Sequence, residues 1–588
     1  MQLLASLLIA YTLHRAPGPQ VRSRPIHAVA TAVPTTPASS DSPLQTLGEI
    51  VSCEDDLVVI APAARAEAPV GALLELGGDG AVGVIVMERC GLYFAARLQG
   101  AAPAADAPAR LLATNLSVAV PADGEWAGVR DYLARPLGGT SFAPLPSAEA
   151  ADAVRVFDDA VPAPGRKPIS TSLHTGVVAV DALTPLGRGQ SCAIFGPDEL
   201  PAADGRSRLG ARILGAQAQL GTGVRTVCVV AGGEAERAAA LDALAEAGAL
   251  ESTLVLSATT ALQAVVASAA ACSIAHANGD DALVVIDNLE GHLALWKESA
   301  KALSRAGVAV TPEEAGSQQR AFYSTLSERA ARKKAGGSVT LLLLQPTPSL
   351  RADASAVYTL ADFEGEGYAQ RVLTRVQQLL AAGVAITPAV LAKLDIPPPG
   401  SGHPQGGGDR RAAQHLEEIT SLVDGHVDLR EAVADGGRSP PLDPSNSLTR
   451  IGVGATSLRS VSATPAMMSV TQALRLELAS ASDPAGSEPA LVRRAAAYEA
   501  VLHQPKAAAL PLGDEVAMLL AASGGHLDAL VPTMDAAALH AVVHALPAHV
   551  RAAAPGLLDD IARKEFLLDD AAAELTRIIA EYVGAADA

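Results

Sequence analysis

Apolar positions follow three different rhythms along this 588-residue chain. From Leu44 to Val120 they come in short runs punctuated by Gly, Asp and Pro: "GEIVSCEDDLVVIAPA", "GALLELGGDGAVGVIVMERCGLYFAARL" and "RLLATNLSVAVPA". Closely spaced runs of strand length predict a small β-barrel over 44–120. From Ala151 to Gln345 near-continuous apolar strands ("SCAIFG", "RTVCVVAG", "STLVLSA", "DALVVIDN", "SVTLLLLQP") alternate with helical stretches. That alternation predicts an α/β domain, 121–453, with a parallel sheet covered by helices on both faces. Between about 351 and 416 the pattern breaks into a helical stretch, "YAQRVLTRVQQLLAAG", and a linker-like "PPPGSGHPQGGGDRR", which reads as an insertion. After Val453 the apolar spacing is helical through Val583, predicting a C-terminal helical bundle over 454–588.

The first 43 residues stand apart. "LLASLLIAYTL", Leu3 to Leu13, is too short to span a bilayer comfortably, and a basic, Ser/Thr/Pro-rich tract with no acid before Asp41 follows it. The combination predicts a targeting segment; the alternative is a plain disordered tail.

Composition narrows the function. Charged residues make up only 18%, and much of the 49% hydrophobic share is Ala, so small residues must build the core. Aromatics at 3% and a net charge of −19 weigh against a nucleic-acid partner. The five cysteines, Cys53, Cys90, Cys192, Cys228 and Cys272, form no CxxC pair and read as small buried hydrophobes.

The candidate chemistry clusters after the predicted strands. Gly196 and Gly205-Arg206-Ser207 have the layout of a phosphate-binding loop, strand to glycine to loop to helix. A working loop has four residues between its glycines, then Lys and a hydroxyl that holds magnesium. Here eight residues intervene, Pro197 and Pro201 lack N–H donors, Asp198, Glu199 and Asp204 are acidic, and Arg206 stands in the place of Lys. Only Ser207 fits. Asp287, ending "ALVVID", is either a magnesium-linked carboxylate beyond a central strand or a cap for the next turn. Glu234 could orient a water, but reads better as a first-turn helix acid. Arg450, after "SPPLDPSNSLT", could reach a phosphate on a neighbouring subunit or be an ordinary surface Arg. His540 and His544 lie four apart on a predicted helix with no third metal ligand in view, which favours helical surface.

Taken together and in order, several segments resemble the alpha and beta subunits of rotary proton-translocating ATPases, F-type alpha subunits best of all. These are "TGVVAVDALTPLGRGQ" (Thr175–Gln190), "ALVVIDN", "FYSTLSERA", "VDGHVDLR", "PPLDPSNSLTRIG", "LRLELA" and "DEVAMLLAASGGHLDAL". In "PPLDPSNSLTRIG" Thr449 replaces the last Ser of the family signature. The resemblance implies a barrel, a RecA-like P-loop-type domain and a helical bundle. It implies a non-catalytic subunit packed with beta subunits around a central stalk, with membrane association only through the complex. Its Arg450 would act in trans as an arginine finger. The resemblance places Gly196, Gly205, Arg206 and Ser207 at the phosphate loop, and Asp287 with Ser207 at magnesium. ATP or ADP binding is expected to be weak or lost, and no independent ATPase activity is expected. The expected location is a plastid or mitochondrion, peripheral to the thylakoid or inner membrane. The rival readings are a structural or regulatory pseudo-subunit, or a related ring ATPase such as an RNA-translocating termination factor or a secretion ATPase.

Overall fold

The first group of strands closes on itself. In the computed structural model, six strands (Thr46–Glu54, Leu57–Pro62, Leu73–Leu76, Ala81–Arg89, Leu92–Gln99, Pro108–Ala113) form a closed barrel in the order first, second, fifth, fourth, third, sixth. Every neighbouring pair is antiparallel. Bulges at Ile50/Ser52, Val82/Gly83 and Ile85/Met87 supply curvature. Cys90 and Gly91 both have positive φ, 52° and 75°, and join two strands in the tight turn whose twist matches a hairpin. Val58, Ile60, Leu74, Leu76 and Ile85 fill the barrel. Their neighbours Leu57, Val59, Val84 and Val86 pack outward onto the core of the next domain. These strands are buried on both sides, which is why they read as apolar runs and not as alternations.

The structure describes residues 44–587, leaving out 79, 138–151, 197–204, 278, 348–356, 364–367, 388–389, 392–393, 395, 397–398, 400–409, 431–432, 434–436, 452–461, 480–487 and 506–507. The predicted targeting segment, and Pro197 to Asp204 of the phosphate loop, lie outside the described residues.

The central sheet runs in the order Leu448–Thr449, Gly425–Asp428, Ser191–Gly196, Ser338–Pro346, Asp281–Asp287, Arg225–Ala231, Thr253–Ala258, Gly128–Asp131. All neighbours along this path are parallel except the first pair, which is antiparallel. The sheet is therefore mixed and not purely parallel as expected. The exception sits at the sheet's edge, where the two-residue strand Leu448–Thr449 has one neighbour to match and pairs antiparallel without disturbing the parallel core. Alternate residues face opposite cores. Ile194, Val230, Val285 and Leu344 meet helices Arg206–Gln219 and Glu234–Glu246 and, in the same core, the C-terminal helices. Phe195, Val229, Ile286 and Leu343 meet helices Ala261–Ala277 and Glu290–Arg305. The helices are thin. Gly215 lies so close to helix Glu234–Glu246 that an added Cβ would stand 2.3 Å from the carbonyl oxygen of Ala247.

Part of the inserted stretch has a small core of its own, with Phe363, Tyr368, Val376, Ile386, Leu391 and Ile396 packed together. Beyond residue 462 the described chain is helical, ending in helices Leu512–Ser523, Ala536–Ala553, Leu557–Lys564 and Asp569–Asp587. Among the described residues no helix is long and apolar enough to cross a membrane.

Candidate functional site

The candidate cleft opens at the carboxyl ends of the parallel strands. Gly196, Ala231 and Asp287 each end a strand there, and helix Arg206–Gln219 starts there with Gly205 at its N-cap. A parallel sheet puts its loops and helix N-termini at this edge, so ligands in such folds are met here. The first turn of that helix and the end of the Asp281–Asp287 strand are joined directly. Ser207 Oγ donates to Asp287 Oδ1 at 2.9 Å. Asp287 is buried, and the next residue, Asn288, takes φ +82°, where its side-chain oxygen accepts from Glu290 N at 2.8 Å and turns the chain into the following helix. Below the cleft, burial pushes the Cys228 thiol well above its usual range and the Asp287 carboxylate pushes it further.

Among the described residues the cleft is lined by Gly205 to Arg208, by Asp287 and Asn288, and by one side of helix Glu234–Glu246 that presents Glu236, Asp242 and Glu246. Its cations are Arg206, which is buried, and Arg208, which is paired with Glu246.

Arg450 lies elsewhere. It follows the edge strand Leu448–Thr449, exposed, with its backbone N–H donating to Asp424 O at 2.7 Å. Its guanidinium donates to the carbonyls of Thr420, Ser421 and Val423 at 2.8, 3.1 and 3.3 Å. Those carbonyls end the helix Arg410–Leu422, where a cation meets the negative end of the helix dipole.

A model of the ATP synthase alpha/beta family, nucleotide-binding domain, matches residues 176–354. ATP synthase subunit alpha of Desulfovibrio desulfuricans is 26% identical over 474 residues, which cover 77% of this chain and 79% of that protein. Over most of its length the chain is similar to an ATP synthase alpha subunit.

The matched domain of this alpha-like chain contains Gly196, Gly205, Arg206, Ser207 and Asp287, while Arg450 lies beyond it. The cleft's donor set suits one part of a magnesium nucleotide better than the other. A hydroxyl and a carboxylate side by side are hard oxygen ligands of the kind magnesium accepts. The described lining, however, offers four carboxylates (Glu236, Asp242, Glu246, Asp287) against two arginines and no lysine, which does not fit a triphosphate.

The other sequence candidates separate. Glu234 is exposed at the first position of its helix and is not among the residues lining the cleft; Glu236 lines it instead, and also accepts from Gly233 N at 2.6 Å. His540 and His544 lie on helix Ala536–Ala553 as expected, but half-buried and not on open surface. Their rings meet at a tilt with centroids 4.2 Å apart, His503 packs on His540 at 4.8 Å, and burial holds His544 down to about 4. Cys192, Cys228 and Cys272 are buried as expected, but Cys90 is exposed in its hairpin turn and Cys53 is only half-buried.

Sequence reasoning missed one cluster. His174, Asp181 and Glu515 bring one ligand atom each to within 4.8 Å of one another. Asp181 and Glu515 lie inside two of the segments quoted for the family resemblance, yet nothing in the chain's linear order joins them. The local signal was a pair of acids, Asp514-Glu515, opening an apolar helix.

Proposed function

We propose that this chain serves as a non-catalytic alpha-type subunit of a rotary ATP synthase, packed with beta subunits around the central stalk and lending Arg450 to a neighbour's catalytic site. The observation that carries this reading is the contrast between its two candidate sites. The chain's own cleft is rich in acid, whereas Arg450 stands exposed on an edge strand with its guanidinium oriented by three carbonyls. A cation fixed in advance costs little to reorganise when charge develops on a transferring phosphoryl group. The same reading takes the sheet as a RecA-like, P-loop-type core whose phosphate grip is weakened or lost. It also takes the apolar start and acid-poor tract before Asp41 as an organellar targeting segment, with the subunit reaching a plastid or mitochondrial membrane only through the complex.

One observation favours the rival reading of a pseudo-subunit with no catalytic contribution: the Arg450 guanidinium is already engaged by the end of helix Arg410–Leu422 of the same chain. Assembling the chain with beta and gamma subunits and comparing wild type with Arg450→Ala separates the two. Loss of ATP turnover in a complex of normal subunit content supports the finger. Unchanged turnover in such a complex leaves the pseudo-subunit, and failure of the wild-type chain to co-migrate with beta on a native gel removes the rotary reading.

A further inference from the structure

We propose that His174, Asp181 and Glu515 form a binding site for a divalent transition cation of the zinc class, one that clips the α/β domain to the C-terminal helical domain. His174 and Asp181 come from the segment that leads into the short helix Val178–Leu183, and Glu515 from the first turn of helix Leu512–Ser523. The site is independent of the nucleotide cleft and of Arg450.

The geometry begins with the imidazole. His174 Nε2 lies 2.8 Å from the carbonyl oxygen of Leu510. A carbonyl only accepts, so Nε2 carries the hydrogen. A second hydrogen bond of this kind is what orients metal-binding histidines. It leaves Nδ1 facing two carboxylates, with Asp181 Oδ2 at 3.2 Å and Glu515 Oε2 at 3.9 Å. Asp181 is held in place by Thr175 N at 3.0 Å and Gly176 N at 3.0 Å, both donating to its carboxylate. Zinc–ligand bonds of about 2.0–2.2 Å in a tetrahedral shell put donor atoms roughly 3.4 Å apart, so these separations need only a small contraction.

The second observation is Glu515 itself. It is 0% exposed, and neither Oε1 nor Oε2 has a hydrogen-bond partner. A bare buried carboxylate is among the costliest groups a fold can hold. A proton shared between Glu515 and the adjacent Asp181 removes only one of the two negative charges. A divalent cation neutralises both and uses the idle oxygens. The neighbouring carboxylate, Asp514, is paired with Arg551 and is not free to help. Burial, with Asp181 and Asp514 adding, pushes Glu515 well above the usual carboxylate range in the metal-free chain, and burial also raises Asp181. His174 is the most exposed of the three and marks the route in, leaving room for a water as fourth ligand.

The test uses the full-length chain, stripped with chelator and titrated with Zn²⁺ by calorimetry and with Co²⁺ by visible absorption. One equivalent of saturable binding is expected, with a rise in melting temperature on zinc addition. His174→Gln and Glu515→Gln, each checked for native circular dichroism, should weaken that binding by at least about tenfold. Absence of saturable binding in the wild-type chain would overturn the proposal. So would binding that both variants keep unchanged, since it would belong to surface histidines.

Discussion

Ser207 Oγ and Asp287 Oδ1, from residues eighty apart in sequence, meet at 2.9 Å and tie the first turn of a helix to the end of the central strand. Without Ser207 the buried carboxylate loses a donor. Ser207→Ala is expected to lower stability by about 1–2 kcal/mol, the cost of depriving a buried charged group of a hydrogen bond. Urea denaturation of the full chain measures it. If the cleft is not catalytic, the same variant leaves ATP turnover of the assembled complex unchanged.

The cleft's acid excess makes a direct prediction about ligands. Calorimetric titration of the isolated chain with Mg-ATP is expected to show no saturable binding below about millimolar, where each tenfold in affinity needs about 1.4 kcal/mol. Arg206→Lys should not restore it, because Glu236, Asp242, Glu246 and Asp287 still line the space. Micromolar binding by the wild-type chain would refute the reading of a weakened site.

Arg450→Ala is expected to reduce turnover of the assembled complex by roughly 10³-fold or more, the range of arginine fingers. Arg450→Lys should recover little, since an ammonium cannot span the Thr420, Ser421 and Val423 carbonyls and still present a planar fork outward. Stability should drop by less than about 1 kcal/mol in either variant, the usual worth of an exposed cation at a helix end.

Acid should weaken the fold through its buried histidines. Burial holds His276, His292, His415 and His544 each down to about 4. The unfolded chain takes up these protons near the ordinary value of about 6.5, while the folded chain refuses them until about 4. Stability is therefore unaffected by these groups above about pH 6.5 and falls as pH drops toward 4, by up to about 3 kcal/mol for a single such histidine. His415→Phe keeps a ring against Tyr323, 5.0 Å away, and should flatten part of that dependence in melting temperatures recorded between pH 7 and 4.5. An unchanged slope would show that His415 titrates normally.

Gly513 tests the thin packing of the C-terminal helices. A Cβ there would sit 2.2 Å from Leu558 O, on the neighbouring helix. Gly513→Ala gains about 1 kcal/mol in helix propensity. It should nonetheless destabilise by about 1–3 kcal/mol overall, because backbone must move. Urea unfolding gives the sign.

Much of this molecule was legible in its linear pattern. The strands "SCAIFG", "RTVCVVA", "TLVLSA", "DALVVID" and "SVTLLLLQP" form where apolar runs of strand length end in Gly, Asp or Pro. The last two strands of the sheet were not visible. "GHVD" is four residues and half polar, and Leu448–Thr449 is two, so neither carries a periodicity of its own. They are strands because their neighbours offer free backbone partners. Cys90 was misread for a related reason: its type suggests burial, but a hairpin needed its position in the turn.

The sequence by itself determined the alternation of barrel, α/β and helical segments, the acidic character of the stretch between Gly196 and Gly205, and the segments that resemble alpha subunits. Hydrophobic periodicity and turn residues act over a few positions, so they survive in one dimension. The tertiary structure alone decided which groups face one another. It set Ser207 on Asp287, folded Arg450 onto the end of helix Arg410–Leu422 and gathered His174, Asp181 and Glu515 from two domains into one place. Those meetings depend on how helices and sheet pack in space, and the electrostatics of a buried group follows from its neighbours there and not from its neighbours in the chain.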